Sequence, residues 1–238
     1  MNKLAPIFII SAAMLWGFDG IVLRPELYSL PVGLVVFIES SITAIYLSPI
    51  LFKNFSILQK LEKKDWIAFG GVALFGGAIG SLCITKALFY VNFVNLSIVI
   101  LIQKLQPLFA LTLAAIILKE KLPHKFFYWA ALAIFGTYIM TFGFKFPQIG
   151  IDNKNLLAAL YSAFAAFSFG FSTVLSKRAL KNVNFELGTY LRFAISAIIM
   201  LIIVLSFNEL NRISSVSNSQ WLIFLLFSFS NGGPAIII

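Results

Sequence analysis

Charge is what this sequence has least of. Only 11% of its 238 residues are Asp, Glu, Lys or Arg, while 60% are hydrophobic. An ordinary soluble domain is about 25% charged and about 45–50% apolar. A soluble fold of this size could not hide so much apolar surface. A chain embedded in lipid need not hide it, provided each backbone N–H and C=O is paired internally. Histidine is nearly missing as well: His124 is the only one. That excludes a zinc site of two histidines, and a Ser-His-Asp triad would have to use a residue in a basic loop. Cys83 is the only cysteine, so no internal disulfide staples the fold. No Walker-type phosphate loop occurs, which argues against ATP-driven pumping by this chain alone. These absences predict a protein that is not an enzyme and carries no metal or cofactor.

What the sequence has instead is long apolar runs. A spanning helix needs about 20 mostly apolar residues. Eight such segments are expected, at 4–23, 32–52, 66–90, 93–118, 123–144, 155–176, 187–207 and 220–238. The runs are continuous rather than alternating, which excludes a transmembrane barrel. The fold class is therefore an all-α polytopic membrane protein. The first run follows Lys3 and imitates a signal peptide, but it continues to Val22 and is echoed later, so it is read as the first span.

The formal charge of +9 would suggest nucleic acid as a partner in a soluble protein. Here topology explains it, and nucleic acid is not expected. Lys3, the loop with Lys53, Lys60, Lys63 and Lys64, the loop with Lys119, Lys121 and Lys125, and the loop with Lys177, Arg178 and Lys181 fall on alternate loops, and so on one side of the membrane. Only Arg24, Lys145, Lys154 and Arg212 fall on the other side. The positive-inside rule then predicts a cytoplasmic N-terminus. Lys86, Lys104 and Arg192 remain, inside apolar segments.

The chain repeats itself weakly. Ser11-Ala12 returns as Ser162-Ala163. Ile42, Ala44 and Ile45 return as Ile195, Ala197 and Ile198, and Trp66 returns as Trp221. Segments one to three thus correspond to six to eight. An odd number of segments per repeat, five, would turn the second copy upside down, a construction typical of secondary transporters.

Several stretches carry a family resemblance. They are Leu15-Trp16-Gly17, Ala87 to Tyr90, Ile98 to Phe109 with Pro107, Leu118 to Leu122 with Glu120, and the helix with Gly136. In this order they resemble the EamA-type repeat of the drug/metabolite transporter superfamily. The resemblance implies ten helices in two inverted five-helix repeats, moving small metabolites across the inner (plasma) membrane. On that pattern residues 1–146 form the first repeat and 147–238 a second, truncated one with three helices. The resemblance also leads to a basic residue at both Glu39 and Arg192, which align across the repeats, and only Arg192 meets it.

An ionisable residue inside a membrane costs at least about 2.5–3.5 kcal/mol at mid-depth, so each is a candidate for function. At ~1.5 Å per residue, Lys104 lies roughly 16 Å deep and Glu39 roughly 10 Å deep. Asp19 and Lys86 lie in the same outward half. The expectation is that Lys104 faces the interior with Glu39 or Asp19 close by. The bland alternatives are that Glu39 is a structural partner, Asp19 a helix cap and Lys86 a snorkelling lysine. Gln103 and Gln106 flank Lys104 and can bind substrate or another helix. Trp16 is a cavity candidate or a packing residue. Pro107 leaves the Gln103 carbonyl without its helical donor. Gly76 with Gly80, and Gly77 with Ser81, read as close-packing pairs. Asn231 to Pro234 read as a break in the last helix.

The leading functional reading is a secondary transporter with alternating access for small metabolites or drugs, coupled to a proton or ion gradient through Glu39 or Asp19. The alternatives are a non-transporting membrane scaffold or assembly factor, and an inactive transporter fragment. The expected partners are a small-molecule substrate and membrane lipid, with a homodimer left open.

Overall fold

A computed structural model describes Met14 and residues 17–91, 96–119, 121–122, 124–144 and 154–237. Among these residues every regular element is helical and there is no strand. We label the main elements α1 (Asp19–Leu23, a π-helical turn), α2 (Val32–Tyr46), α3 (Lys63–Tyr90), α4 (in two pieces, Leu96–Gln103 and Gln106–Ile117), α5 (His124–Phe142), α6 (Lys154–Ala179), α7 (Phe185–Ser206) and α8 (Asn218–Ile237). Four stretches are long and apolar enough to cross a membrane: Lys63–Tyr90, Ile98–Ile117, Lys154–Ala179 and Phe185–Ser206. Val32–Tyr46, Lys125–Gly136 and Asn218–Phe229 are shorter apolar stretches.

Helices lie at the expected segments from residue 32 onward, four of them long and apolar enough to cross a membrane. Most of the segment 4–23 lies outside the described residues. Two corrections apply. The segment at 32–52 is not one helix. It ends at Tyr46, and Ser48-Pro49 starts a separate short helix, Ser48–Lys53, because proline fits only the first turn of a helix without losing a hydrogen bond. The break expected at Asn231 to Pro234 is absent, since α8 stays helical through Ile237. A membrane helix tolerates proline where neighbouring groups take up the freed carbonyl. The break expected near Pro107 is present: α4 interrupts at Lys104 and Leu105, and Pro107 sits in the first turn of its second piece.

Helix α2 packs along α7 and α8, α3 packs along α6 and α7, and α6 packs on both pieces of α4. Two apolar clusters close opposite ends of α2. One joins Leu27, Leu34 and Val35 to Val204 of α7 and Phe224 of α8. The other joins Leu47, Phe69 and Val72 to Leu187 and Leu191 at the start of α7. Helices α2 and α7 therefore run antiparallel, and the polar residues of the bundle lie between the two clusters.

Each of these two helices is capped at its start by a polar group. The Asn184 side chain accepts from Leu187 N–H at 3.0 Å and donates to Asn54 Oδ1 at 3.0 Å, tying α7 to the loop after α2. At α2 the corresponding position is Pro31, which makes no side-chain cap. There the carboxylate of Glu209, from the loop after α7, lies against the Gly33–Leu34 backbone and takes the Leu34 N–H. Gly33 leaves room for this approach, since a Cβ there would displace the end of the Glu209 side chain.

The centre of α3 is π-helical over Ala73–Ile79. Such a bulge shifts carbonyls away from their usual partners and occurs often at functional sites. Side chains from two other helices take up these carbonyls. Ser172 of α6 donates to Val72 O at 3.2 Å, Arg192 Nη2 donates to Gly76 O at 3.1 Å, and Ser196 of α7 shares its one hydroxyl proton between Ala73 O at 3.2 Å and Arg192 O at 2.6 Å. Close approach makes these bonds reachable: a Cβ at Gly76 would strike Ser172, and one at Gly77 would strike Ser196. The small residues of α3 thus pack helices closely, as their spacing predicts.

Candidate functional site

The polar middle of the bundle encloses a cavity of about 370 Å³. This lies within the range of about 300–1,000 Å³ typical of small-molecule sites. Glu39 and Ser40 reach it from α2, Gly77 and Ser81 from the π-helical part of α3 and the turn after it, Gln103 and Gln106 from the interrupted α4, and Thr189 and Arg192 from α7. Four phenylalanines, Phe169, Phe185, Phe193 and Phe227, complete the wall. The lining joins aromatic faces to a few fixed polar groups, the usual composition of a site that orients a small organic ligand.

The electrostatics centre on a residue that the sequence reading placed elsewhere. Arg24, counted there among the outer loop charges, is buried and lines the cavity. Its Nη2 lies 3.6 Å from Glu39 Oε1, its Nη1 donates to Thr85 Oγ1 at 2.7 Å, and its guanidinium sits 4.8 Å from the centre of the Phe227 ring. Pro25 explains the placement. It opens a 3-10 turn, Arg24–Leu27, so the chain stays helical past Leu23 and holds Arg24 on the bundle side. Proline in a first helical turn was the available signal.

Arg192 is the second cation. Besides its bond to Gly76 O it packs 5.5 Å over the Phe193 ring. Its Nε is buried and has no hydrogen-bond partner among the described residues. The same holds for Gln103 Oε1, on a side chain that is 6% exposed. Such buried, unsatisfied polar atoms are uncommon in native structures and call for a specific explanation.

Of the residues singled out from sequence, Glu39, Gln103, Gln106 and Arg192 meet at this cavity. Lys104 does not line it. It is exposed and stands with Gln103, Gln106 and Pro107 on a second cleft of about 320 Å³. Gln103 and Gln106 therefore line both spaces, and the break in α4 forms the wall between them. Trp16 and the Asp19 side chain lie outside the described residues. Lys86 packs 4.9 Å over the Tyr161 ring at a separate cleft with Tyr28, Phe89, Tyr90 and Lys154. Besides Arg24, the sequence reading missed Ser40, Thr85, Thr189 and the phenylalanines, which carry no signal beyond those of ordinary membrane helices.

The profile of the EamA-like transporter family matches residues 3–142 and 156–237. The chain belongs to that family. It is therefore a multi-pass membrane transporter of small molecules, and the cavity lies in the part of the chain that the family shares. One relative, from Fusobacterium nucleatum subsp. nucleatum, is named riboflavin transporter ImpX. It is 44% identical over 229 residues, which are 95% of this chain and 76% of the relative. A second, uncharacterized transporter sll1164 of Synechocystis sp., is 26% identical over 171 residues, 70% of this chain and 48% of the relative. No solved structure matches this EamA-like transporter. Family membership favours transport and gives the scaffold reading no support.

Proposed function

We propose that this transporter carries riboflavin, or a closely related polar heteroaromatic molecule, across the cell's inner (plasma) membrane by alternating access, with the cavity between Glu39 and Arg192 as its substrate site. One observation carries the reading: an aromatic-walled cavity with buried, unsatisfied polar atoms lies in a chain 44% identical to a relative named as a riboflavin transporter. Riboflavin joins a flat ring system to a hydroxylated chain, which matches a wall of phenylalanines set with guanidinium, amide and hydroxyl groups.

The two-repeat architecture is part of this proposal. If α1 to α3 correspond to α6 to α8, a two-fold axis passes between α2 and α7. The contact of α3 with α7 then has its counterpart in α2 with α8, and that of α3 with α6 in α1 with α8; these contacts are all present. Across the same axis Glu39 corresponds to Arg192, and Thr43 to Ser196. Thr43 donates to Glu39 O at 2.7 Å and Ser196 to Arg192 O at 2.6 Å. The two matched stretches of the family profile give further support. The N-terminus is cytoplasmic in this scheme, on the side of the lysine-rich loops. Glu39 is the candidate carrier of a coupling proton, because neutralising it would release Arg24 and loosen the turn that Arg24 anchors.

Counterflow tests the reading. The purified chain is reconstituted in liposomes loaded with unlabelled riboflavin, and labelled riboflavin is added outside. Transient accumulation of label above equilibrium is the expected result. Label entry no faster than in protein-free liposomes overturns the proposal.

A further inference from the structure

Besides Glu39 Oε1, which faces the Arg24 guanidinium, two atoms in the cavity wall have hydrogen-bonding capacity that the described residues do not use. Arg192 Nε carries one donor and Gln103 Oε1 is an acceptor, and both are buried without a partner. Their positions are fixed from behind. The Arg192 guanidinium is held by the Gly76 carbonyl at 3.1 Å and by the Phe193 ring. Gln103 ends the first piece of α4 at the interruption before Pro107, where the missing proline N–H keeps the helix from closing regularly. The nearby negative charge, Glu39, already faces Arg24 at 3.6 Å, which leaves Arg192 to be answered by the ligand.

An amide side chain offers both an acceptor and two donors, whichever way its oxygen and nitrogen are turned. A ligand carboxylate supplies acceptors only. It would match Arg192 but leave the Gln103 oxygen unanswered. An alcohol can donate to the glutamine oxygen and accept from Arg192 Nε–H, but one hydroxyl has no second group to take the glutamine N–H as well. A cyclic imide, in which one N–H stands between two carbonyls, answers all of them: its N–H reaches the glutamine oxygen, one carbonyl takes the glutamine N–H and the other takes Arg192 Nε–H. We infer that Gln103 and Arg192 together read a cyclic imide edge on the substrate, and that this edge, rather than the hydroxylated chain, sets the specificity of the cavity.

The inference rests on the proposed substrate class and deepens it, since the isoalloxazine ring of riboflavin ends in such an edge. It assigns an orientation. The imide end points to the wall made by α4 and α7, and the ring lies among Phe169, Phe193 and Phe227. A site built to bond a polar group rejects the analogue that lacks it far more strongly than an apolar site rejects a change of size.

The test is competition in the riboflavin counterflow assay with two analogues. One is riboflavin methylated on the imide nitrogen, which loses the donor. The other is riboflavin with a shortened hydroxylated chain, which keeps the edge. The expected result is that the methylated analogue competes at least about tenfold more weakly than riboflavin, as loss of one matched hydrogen bond implies. The shortened analogue should compete within about threefold. In Gln103→Leu and in Arg192→Lys the preference for riboflavin over the methylated analogue should shrink to about twofold or less. A role for these residues in folding alone would lower activity without changing that ratio. If wild-type protein exchanges riboflavin but accepts the methylated analogue equally well, the imide assignment is overturned while the substrate reading stands. If the preference persists unchanged in both variants, the assignment to these residues is overturned. Absence of riboflavin exchange in the wild type overturns the substrate reading and the assignment with it.

Discussion

Arg24 Nη2 stands 3.6 Å from Glu39 Oε1, and both side chains are more than nine-tenths buried. The pair joins the turn after α1 to the middle of α2. Through Thr85 and Phe227 the same guanidinium also touches α3 and α8. Four elements thus meet at one cation, on the wall of the cavity.

This arrangement predicts an asymmetry between single and double replacement. Removing one member of a buried pair leaves the other charge unanswered and costs about 3–5 kcal/mol, whereas replacing both by apolar residues is often close to neutral. Arg24→Leu should therefore lower thermal stability in detergent strongly, and Arg24→Leu with Glu39→Leu should recover most of the loss. Equal or additive losses in the single and double variants would show that the two charges do not support each other.

The π-helical centre of α3 makes a second prediction. A Cβ at Gly77 would strike the Ser196 side chain. Overpacking of this kind typically costs about 1–3 kcal/mol. Gly77→Ala should lower the melting temperature and shift the Arg192 wall, reducing substrate binding. Ser196→Gly in the same chain should restore part of both. Thermal unfolding of the wild type and the two variants checks this, and an unaffected Gly77→Ala would contradict the close approach of α3 and α7.

Glu209 supplies a pH dependence. It lies in the loop after α7, and burial raises its carboxyl above the ordinary range, partly opposed by the Leu34 N–H. The folded chain then keeps the proton to a higher pH than the unfolded chain does. Stability therefore falls as pH rises from the ordinary carboxylate range through the raised value, and levels off above it. Charged neighbours on the adjoining turns are Glu26 and Arg212, both exposed, and neither causes the shift. Glu209→Gln should be the more stable form at neutral pH and should converge with the wild type in acid. Melting curves across that window test the sign. A wild type that gains stability with rising pH relative to the variant would refute it.

Much of this molecule was legible in its sequence because lipid imposes one rule on every segment. Apolar length marked the helices, Pro107 marked the interruption of α4, and the small residues at 76, 77, 80 and 81 marked a close-packed face. Glu39, Gln103, Gln106 and Arg192 were found because polar groups are costly at such depth. Arg24 was missed for the opposite reason. Its sequence neighbours Pro25 and Glu26 look like a surface turn, and only the folding of that turn back against α3 and α8 carries the guanidinium inward. Lys104 was misjudged by the same logic, since depth along a helix does not say which way a side chain faces, and the kink at Lys104 and Leu105 turns it to the second cleft. The cap of α2 by Glu209 joins residues far apart in the chain, and no local pattern announces it.

The central claim is that the cavity between α2 and α7 is the path of the substrate. Ser40 lines it, buried, on α2 beside Glu39. Ser40→Phe would place a ring in a space of about 370 Å³ while leaving Arg24, Gln103 and Arg192 unchanged. The most direct measurement is riboflavin counterflow by this variant beside the wild type, with folding of both checked by monodisperse elution and cooperative melting. The account predicts exchange by the wild type and loss of at least about nine-tenths of it in a folded Ser40→Phe. Exchange by that folded variant at the wild-type rate would contradict it.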